Sequence, residues 1–251
     1  MTPDMYDGRL FLVEALVVAE PPIPLAAWGG VVAARLVKEL LGGGEAVARV
    51  SPPISPGGGI VYGGVLREFV VSLLTRNPLI LIEALGGSER LHVVELAARE
   101  AALAAREEAE EAKRRISSMD GLAVARIEYG PTAFVYRGRL ILYPSPLRLI
   151  RGGLRALTEL GLMSGEEAGE AFARLAAGVE LLRSNTRVGR VDLGHGRRQL
   201  VFQGTAVYGI DPDAVDLFAL VLGAARVRGL GKSRGVGLGY IRVLDGGQMP
   251  R

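Results

Sequence analysis

Read in order, the 251 residues spell one succession of elements twice: strand, helix, two strands, helix, strand. That order is ferredoxin-like (RRM-like, βαββαβ), and few folds accommodate it twice in one chain. In the first copy, Arg9 to Ala19 reads as a buried strand. Pro21-Pro22-Ile23-Pro24 breaks it before a helix from about Leu25 to Leu41, stopped by Gly42-Gly43-Gly44. Ala46 to Val50 is a candidate strand, Ser51 to Gly59 a proline- and glycine-rich loop, and Arg90 to Leu96 a strand. Val65 to Leu85 is apolar with a break at Thr75-Arg76-Asn77-Pro78, and short apolar runs leave open which side is strand and which helix. Ala97 to Ile116, rich in alanine with Glu and Arg at helical spacing, predicts an exposed helix joining the halves.

In the second copy, Leu122 to Tyr143 supplies strand material with a hairpin turn at Arg137-Gly138-Arg139. Leu147 to Leu160 and Glu166 to Leu182 read as helices. Arg187 to Leu193 and Arg198 to Tyr208 alternate apolar and polar residues around Gly194-His195-Gly196-Arg197, a hairpin with a basic tip. Asp211-Pro212-Asp213 opens the last helix, and Tyr240 to Leu244 is the last strand. The expected architecture is therefore α+β: tandem ferredoxin-like domains, 1-120 and 121-251, with a cleft between them and a C-terminal glycine-rich loop.

That loop, Gly229-Leu230-Gly231-Lys232-Ser233-Arg234-Gly235-Val236-Gly237-Leu238-Gly239, places two Gly-apolar-Gly triplets around a five-residue insert with two cations. Repeated glycines around Lys232 and Arg234 suit main-chain amides and cations wrapped on a polyanion such as phosphate. A plain helix-to-strand connection with solvated cations is the alternative that the residues leave open. A P-loop is excluded because the glycine it requires is Arg226, and a dinucleotide fingerprint because its glycine is Arg234. Within the first helix, Arg35 and Lys38 are three apart and share a face, so both can approach one phosphate or stand solvated beside Glu39.

Charge is unevenly distributed. Residues 1-125 hold 12 Lys+Arg against 16 Asp+Glu, and residues 126-251 hold 18 against 11, so the second half carries net +7. Concentrated cations suit a nucleic-acid surface in that half. With no cysteine, disulfides and zinc-thiolate sites are unavailable; with Asn limited to Asn77 and Asn185, the composition hints at a thermophile. The apolar run Leu10 to Ala19 is interrupted by Glu14 and is too short to span a membrane, so a soluble cytoplasmic protein without membrane contact is expected.

The glycine loop between a late helix and the last strand resembles the signature loop of the CRISPR repeat-processing endoribonucleases of the RAMP superfamily. Three stretches fit the same family in order: Pro24 to Leu41 with Gly29-Gly30, Tyr129-Gly130-Pro131-Thr132, and Gln199 to Tyr208. The resemblance implies tandem ferredoxin-like domains, CRISPR repeat RNA (precursor crRNA) as partner, and metal-independent cleavage. In that reaction a ribose 2′-hydroxyl attacks the adjacent phosphate, leaving a 2′,3′-cyclic phosphate and a 5′-hydroxyl. It implies no cofactor. Many members use a first-helix histidine aided by tyrosine and lysine, but residues 1-91 here contain no histidine and the first helix no tyrosine. By the resemblance the burden passes to Arg35 and Lys38, as in members that rely on lysine and arginine, with His195, whose other reading is a phosphate or base contact, as a further catalytic candidate. Arg197, Arg198, Gly229, Gly231, Lys232, Arg234, Gly237 and Gly239 are the candidate RNA contacts. His92, in an apolar strand context, reads as structural. A non-catalytic RNA-binding subunit of a CRISPR effector complex is the second reading, and a homodimer is compatible with either.

Overall fold

A computed structural model of the chain describes residues 8-41, 47-119 and 121-245. The expected stop at Gly42-Gly43-Gly44 and the start of the strand at Ala46 lie outside them. Two compact units form, one of Met1–Ala101 with Arg190–Gln199 and Ser233–Leu238, the other of Ala102–Gly189, Leu200–Lys232 and Gly239–Arg251.

The first unit contains β1 (Phe11–Pro24), α1 (Gly29–Leu40), β2 (Arg49–Val50), β3 (Val65–Thr75), α2 (Pro78–Gly86) and β4 (Leu91–Glu100). Its sheet runs β2-β3-β1-β4, the ferredoxin order, with β1 antiparallel to both neighbours. Alternate residues Val13, Ala15, Val17 and Ala19 of β1 enter a core with Ala33 and Val37 of α1 and Phe69, Val71 and Leu73 of β3. Glu14 points the other way, where it accepts hydrogen bonds from Arg99 at 2.7 Å and Ser72 at 3.2 Å. The prolines do not end β1 as expected. Pairing with β4 stops at Ala19, and only the β3 side continues, through Ile23 opposite Leu66 after a register shift. Prolines are tolerated there because no ladder bond on the β4 side is lost. The undecided run 65-85 resolves as β3 then α2, with Pro78 opening the helix.

The second unit contains α3 (Ala101–Arg115), β5 (Ser117–Met119), β6 (Leu122–Thr132), the hairpin β7 (Phe134–Tyr136) and β8 (Arg139–Ile141), α4 (Pro146–Glu159), α5 (Gly165–Gly178), β9 (Val179–Asp192), β10 (Arg198–Ile210), α6 (Val215–Arg228) and β11 (Ile241–Leu244). Its main sheet, β11-β6-β10-β9, repeats the same ferredoxin order, with β5 added beside β6. Arg137 and Gly138 both take positive φ, 47° and 77°, as a two-residue hairpin turn requires. The core is aromatic: Tyr129 and Phe134 flank Phe202 at 5.4 and 5.6 Å, and Tyr208 meets Phe218 of α6 at 6.2 Å. α4 crosses α6 at Gly153, where an added Cβ would lie 2.6 Å from the Val221 carbonyl oxygen.

Two helices differ from expectation. α3 starts at Ala101, since residues 97-100 finish β4, and it is not a free connector. Its face of Ala101, Ala104, Ala105, Ala109 and Ala112 is buried, and Gly223 of α6 is so close that a Cβ would stand 2.2 Å from the Ala105 carbonyl oxygen. Small residues on both helices permit that approach. α5 stops at Gly178 rather than Leu182: the Gly178 carbonyl accepts from the Asp211 amide at 2.8 Å, and Val179 begins the edge strand β9.

Candidate nucleic-acid interface

In the first unit, the start of α1 is built for close approach. Trp28 precedes the helix, 5% exposed, and its indole N–H donates to the Val236 carbonyl at 2.9 Å. Gly30 has no room for a side chain, since a Cβ would lie 2.3 Å from that same carbonyl oxygen. Val236 closes the single 3-10 turn Arg234–Val236, which is entered through Ser233 at φ 60° and left through Gly237 at φ 74°. Gly237 packs on the Pro52 backbone, 2.7 Å from its would-be Cβ to the proline nitrogen. Arg234 is therefore carried on a turn pinned from two sides.

The tip of the β9–β10 hairpin belongs to the same unit. The Asp192 carboxylate accepts from the Gly194 amide at 2.7 Å, and the Trp28 amide donates to the Asp192 carbonyl at 3.1 Å. Gly194, His195 and Gly196 all adopt left-handed backbone, φ 79°, 52° and 71°. Only glycine does this freely, so the flanking glycines make the turn possible and push His195 outward. A Cβ on Gly194 would sit 3.4 Å from Nη2 of Arg35 and 3.9 Å from Val31. The basic tip thus rests against the cationic face of α1. His195, Arg197, Arg198, Arg35 and Lys38 are all exposed.

In the second unit, the glycine loop's two ends meet. The Leu230 amide donates to the Gly239 carbonyl at 2.8 Å, and the Gly239 amide to the Pro131 carbonyl at 2.9 Å. A Cβ on Gly239 would lie 1.7 Å from the Leu230 carbonyl oxygen, and one on Gly231 would lie 2.3 Å from that of Ala133. The Lys232 amide donates to Ala133 at 2.8 Å, leaving its side chain exposed. Gly229 ends α6 at φ 74° with its amide on Ala225. The amides of residues 229, 230, 232, 236, 237 and 239 are all engaged within the protein. The triplets therefore shape the loop.

The Tyr129 and Tyr208 stretches become neighbouring central strands. The two phenols share a 2.6 Å hydrogen bond in the core, and Tyr208 donates to the Pro144 carbonyl at 2.9 Å. Burial pushes both well above the ordinary phenol pKa. His92 is exposed, 3.9 Å from Glu20. Sequence reasoning passed over Trp28, although a sole tryptophan directly before Gly-Gly was its signal. Among the described residues no group of three or more His, Asp or Glu could hold a metal ion, and no helix is long and apolar enough to cross a membrane.

Two sheets of ferredoxin order in one chain, with a glycine-rich loop between the last helix and the last strand, define a tandem ferredoxin-like protein. The family model for the CRISPR-associated endoribonuclease Cas6 matches residues 128–241. A solved Cas6 product complex superposes with TM-score 0.62 at 18% identity, covering 94% of this chain and all of that one. Thermus thermophilus Cas6 gives 0.62 at 17%, covering 94% and 98%. A partial Cas6-RT-Cas1–Cas2 complex gives 0.68 at 12%, covering 97% of this chain and 47% of that one. At such identities these structures speak for the fold alone. No protein of curated function matches the sequence.

Proposed function

We propose that this chain binds CRISPR repeat RNA and cuts precursor CRISPR RNA within the repeats without metal, by attack of a 2′-hydroxyl on the adjacent phosphate. The observation that carries it is the seating of the basic hairpin tip, with its exposed His195, against Arg35 of α1. In the reaction the 2′-oxygen bonds to phosphorus, its proton leaves to a base, the bond to the 5′-oxygen breaks, and that oxygen is protonated. Arg35 keeps its charge and holds the phosphate as charge builds on it. Lys38, exposed beside Arg35 on the same face of α1, is the first proton-transfer candidate. His195 stands at the tip as the second proton-transfer group. Arg197 and Arg198 read bases, while Lys232 and Arg234 hold phosphates.

The absence of histidine from residues 1-91 favours a second reading, a non-catalytic RNA-binding subunit of a CRISPR effector complex. Labelled repeat RNA incubated with the protein in chelator separates the two. The first reading expects products ending in a 2′,3′-cyclic phosphate and a 5′-hydroxyl. Tight binding without cleavage supports the second, and cleavage that chelator abolishes contradicts the mechanism.

A further inference from the structure

Away from these residues, the second unit carries a cationic and aromatic surface that the cleavage reading does not use. Arg148, Arg151 and Arg155 fall at i, i+3 and i+7 on α4, one stripe of the helix. The β7–β8 hairpin adds Arg137 and Arg139 at its exposed turn. Among the described residues a carboxylate engages only one of these five, Arg155, which Glu159 meets at 2.8 Å. The Arg148 guanidinium stacks on the Tyr136 ring at 4.1 Å and Arg137 approaches the same ring at 5.3 Å. Tyr143, on the connection into α4, is 52% exposed. Arg151 packs over the Phe172 ring of α5 at 5.0 Å, so the surface presents flat cations on aromatic rings beside an open tyrosine.

We infer that this α4 and β7–β8 surface is a second RNA contact, one that takes unpaired nucleotides flanking the processed repeat. Charge identifies a polyanion, and open stacking planes distinguish unpaired bases from a duplex, whose bases are stacked on each other. The arginine stripe tracks the phosphates, and Tyr143 and the Arg148–Tyr136 stack receive bases. The choice of RNA rests on the proposed function; the surface itself does not.

Binding is measured for the bare repeat, for the repeat with unpaired flanks of roughly ten nucleotides, and for an unpaired oligonucleotide of arbitrary sequence. The variant R148A/R151A is expected to hold the bare repeat as the wild type does. On the flanked RNA it should bind about tenfold more weakly, with a salt slope reduced by about two phosphates' worth. Y143A should weaken the flanked RNA about fivefold at unchanged slope. Should the alanine variant fail to match the wild-type Tm, R148K/R151K replaces it, keeping the slope and losing the stacking affinity. Unchanged affinity for flanked RNA overturns the inference, as does an equal loss on the bare repeat. A changed oligomeric state with RNA binding intact also overturns it, marking the surface as a protein contact. If the wild type ignores the repeat altogether, the proposed function fails. In that case binding of the arbitrary oligonucleotide, weakened in R148A/R151A, still upholds this surface, and no such binding overturns it.

Discussion

α1 and α4 hold the same place in the order of their two sheets, and each carries a Gly-Gly pair against which other chain is pressed. What presses differs. On α4 it is chiefly a helix: Val221 of α6 fills the site of the missing Gly153 side chain, its Cγ1 2.5 Å from the would-be Cβ, while Leu230, just past the end of α6, covers Gly152 at 2.8 Å. On α1 it is loop: the carbonyl of Val236 stands over Gly30, and Pro53 lies 2.9 Å from the would-be Cβ of Gly29. A helix locked into a helix is scaffold, because its backbone has nowhere to move. A helix met by turns is a place where cations on different segments are set in register, and turns yield more cheaply than helices.

The sharpest break of that contrast is Gly153→Ala, which should destabilise the protein by about 3 kcal/mol in urea denaturation through overpacking against α6. A second difference lies in the cores. The second unit buries two phenols, while the first unit's cluster has Phe69 as its aromatic residue. Folded-state phenol pKa values are raised, so their stabilising contribution is complete below about pH 10, where unfolded tyrosine titrates, and is lost as pH rises beyond it. Above that point stability should fall by up to about 2.7 kcal/mol per pH unit for the pair. The double variant Y129F/Y208F should flatten the fall, and an unchanged alkaline slope would remove the pair as its cause. The smallest stability effect is expected at the turn-facing helix. Gly30→Ala should cost about 1 kcal/mol yet weaken repeat-RNA binding, whereas Gly235→Ala, with nothing within 4 Å of its would-be Cβ, should change neither measurement. A Gly30→Ala cost equal to that of Gly153→Ala would erase the distinction between the two helices.

The repeated element order was legible because period and punctuation carry it: the apolar run of β1, the alternation on both sides of Gly194-His195-Gly196-Arg197 and Asp211-Pro212-Asp213 ahead of α6, whereas the run 65-85, where Pro78 heads α2, stayed open. Boundaries set by tertiary contact were not legible. Val179 leaves α5 for an edge strand because of a bond between Gly178 and Asp211, 33 positions on, and the buried alanines of α3 owe their role to Gly223. At the candidate site, glycine spacing located the loop but not what its glycines pack against. Glycine looks the same in sequence whether its backbone faces a phosphate or another carbonyl, and here Gly231 and Gly239 face carbonyls. The seating of Gly194 on Arg35 was likewise invisible, because it joins residues 159 positions apart.

The central claim is that α1 and the tip resting on it carry out cleavage while other cations hold the RNA. Its most direct test is the variant R35A/K38A, assayed with labelled repeat RNA for binding and for cyclic-phosphate product in the same tube. The account predicts binding within about threefold of wild type, an allowance for two exposed phosphate contacts, with the cyclic-phosphate product lost. Cleavage at the wild-type rate by that variant would contradict it.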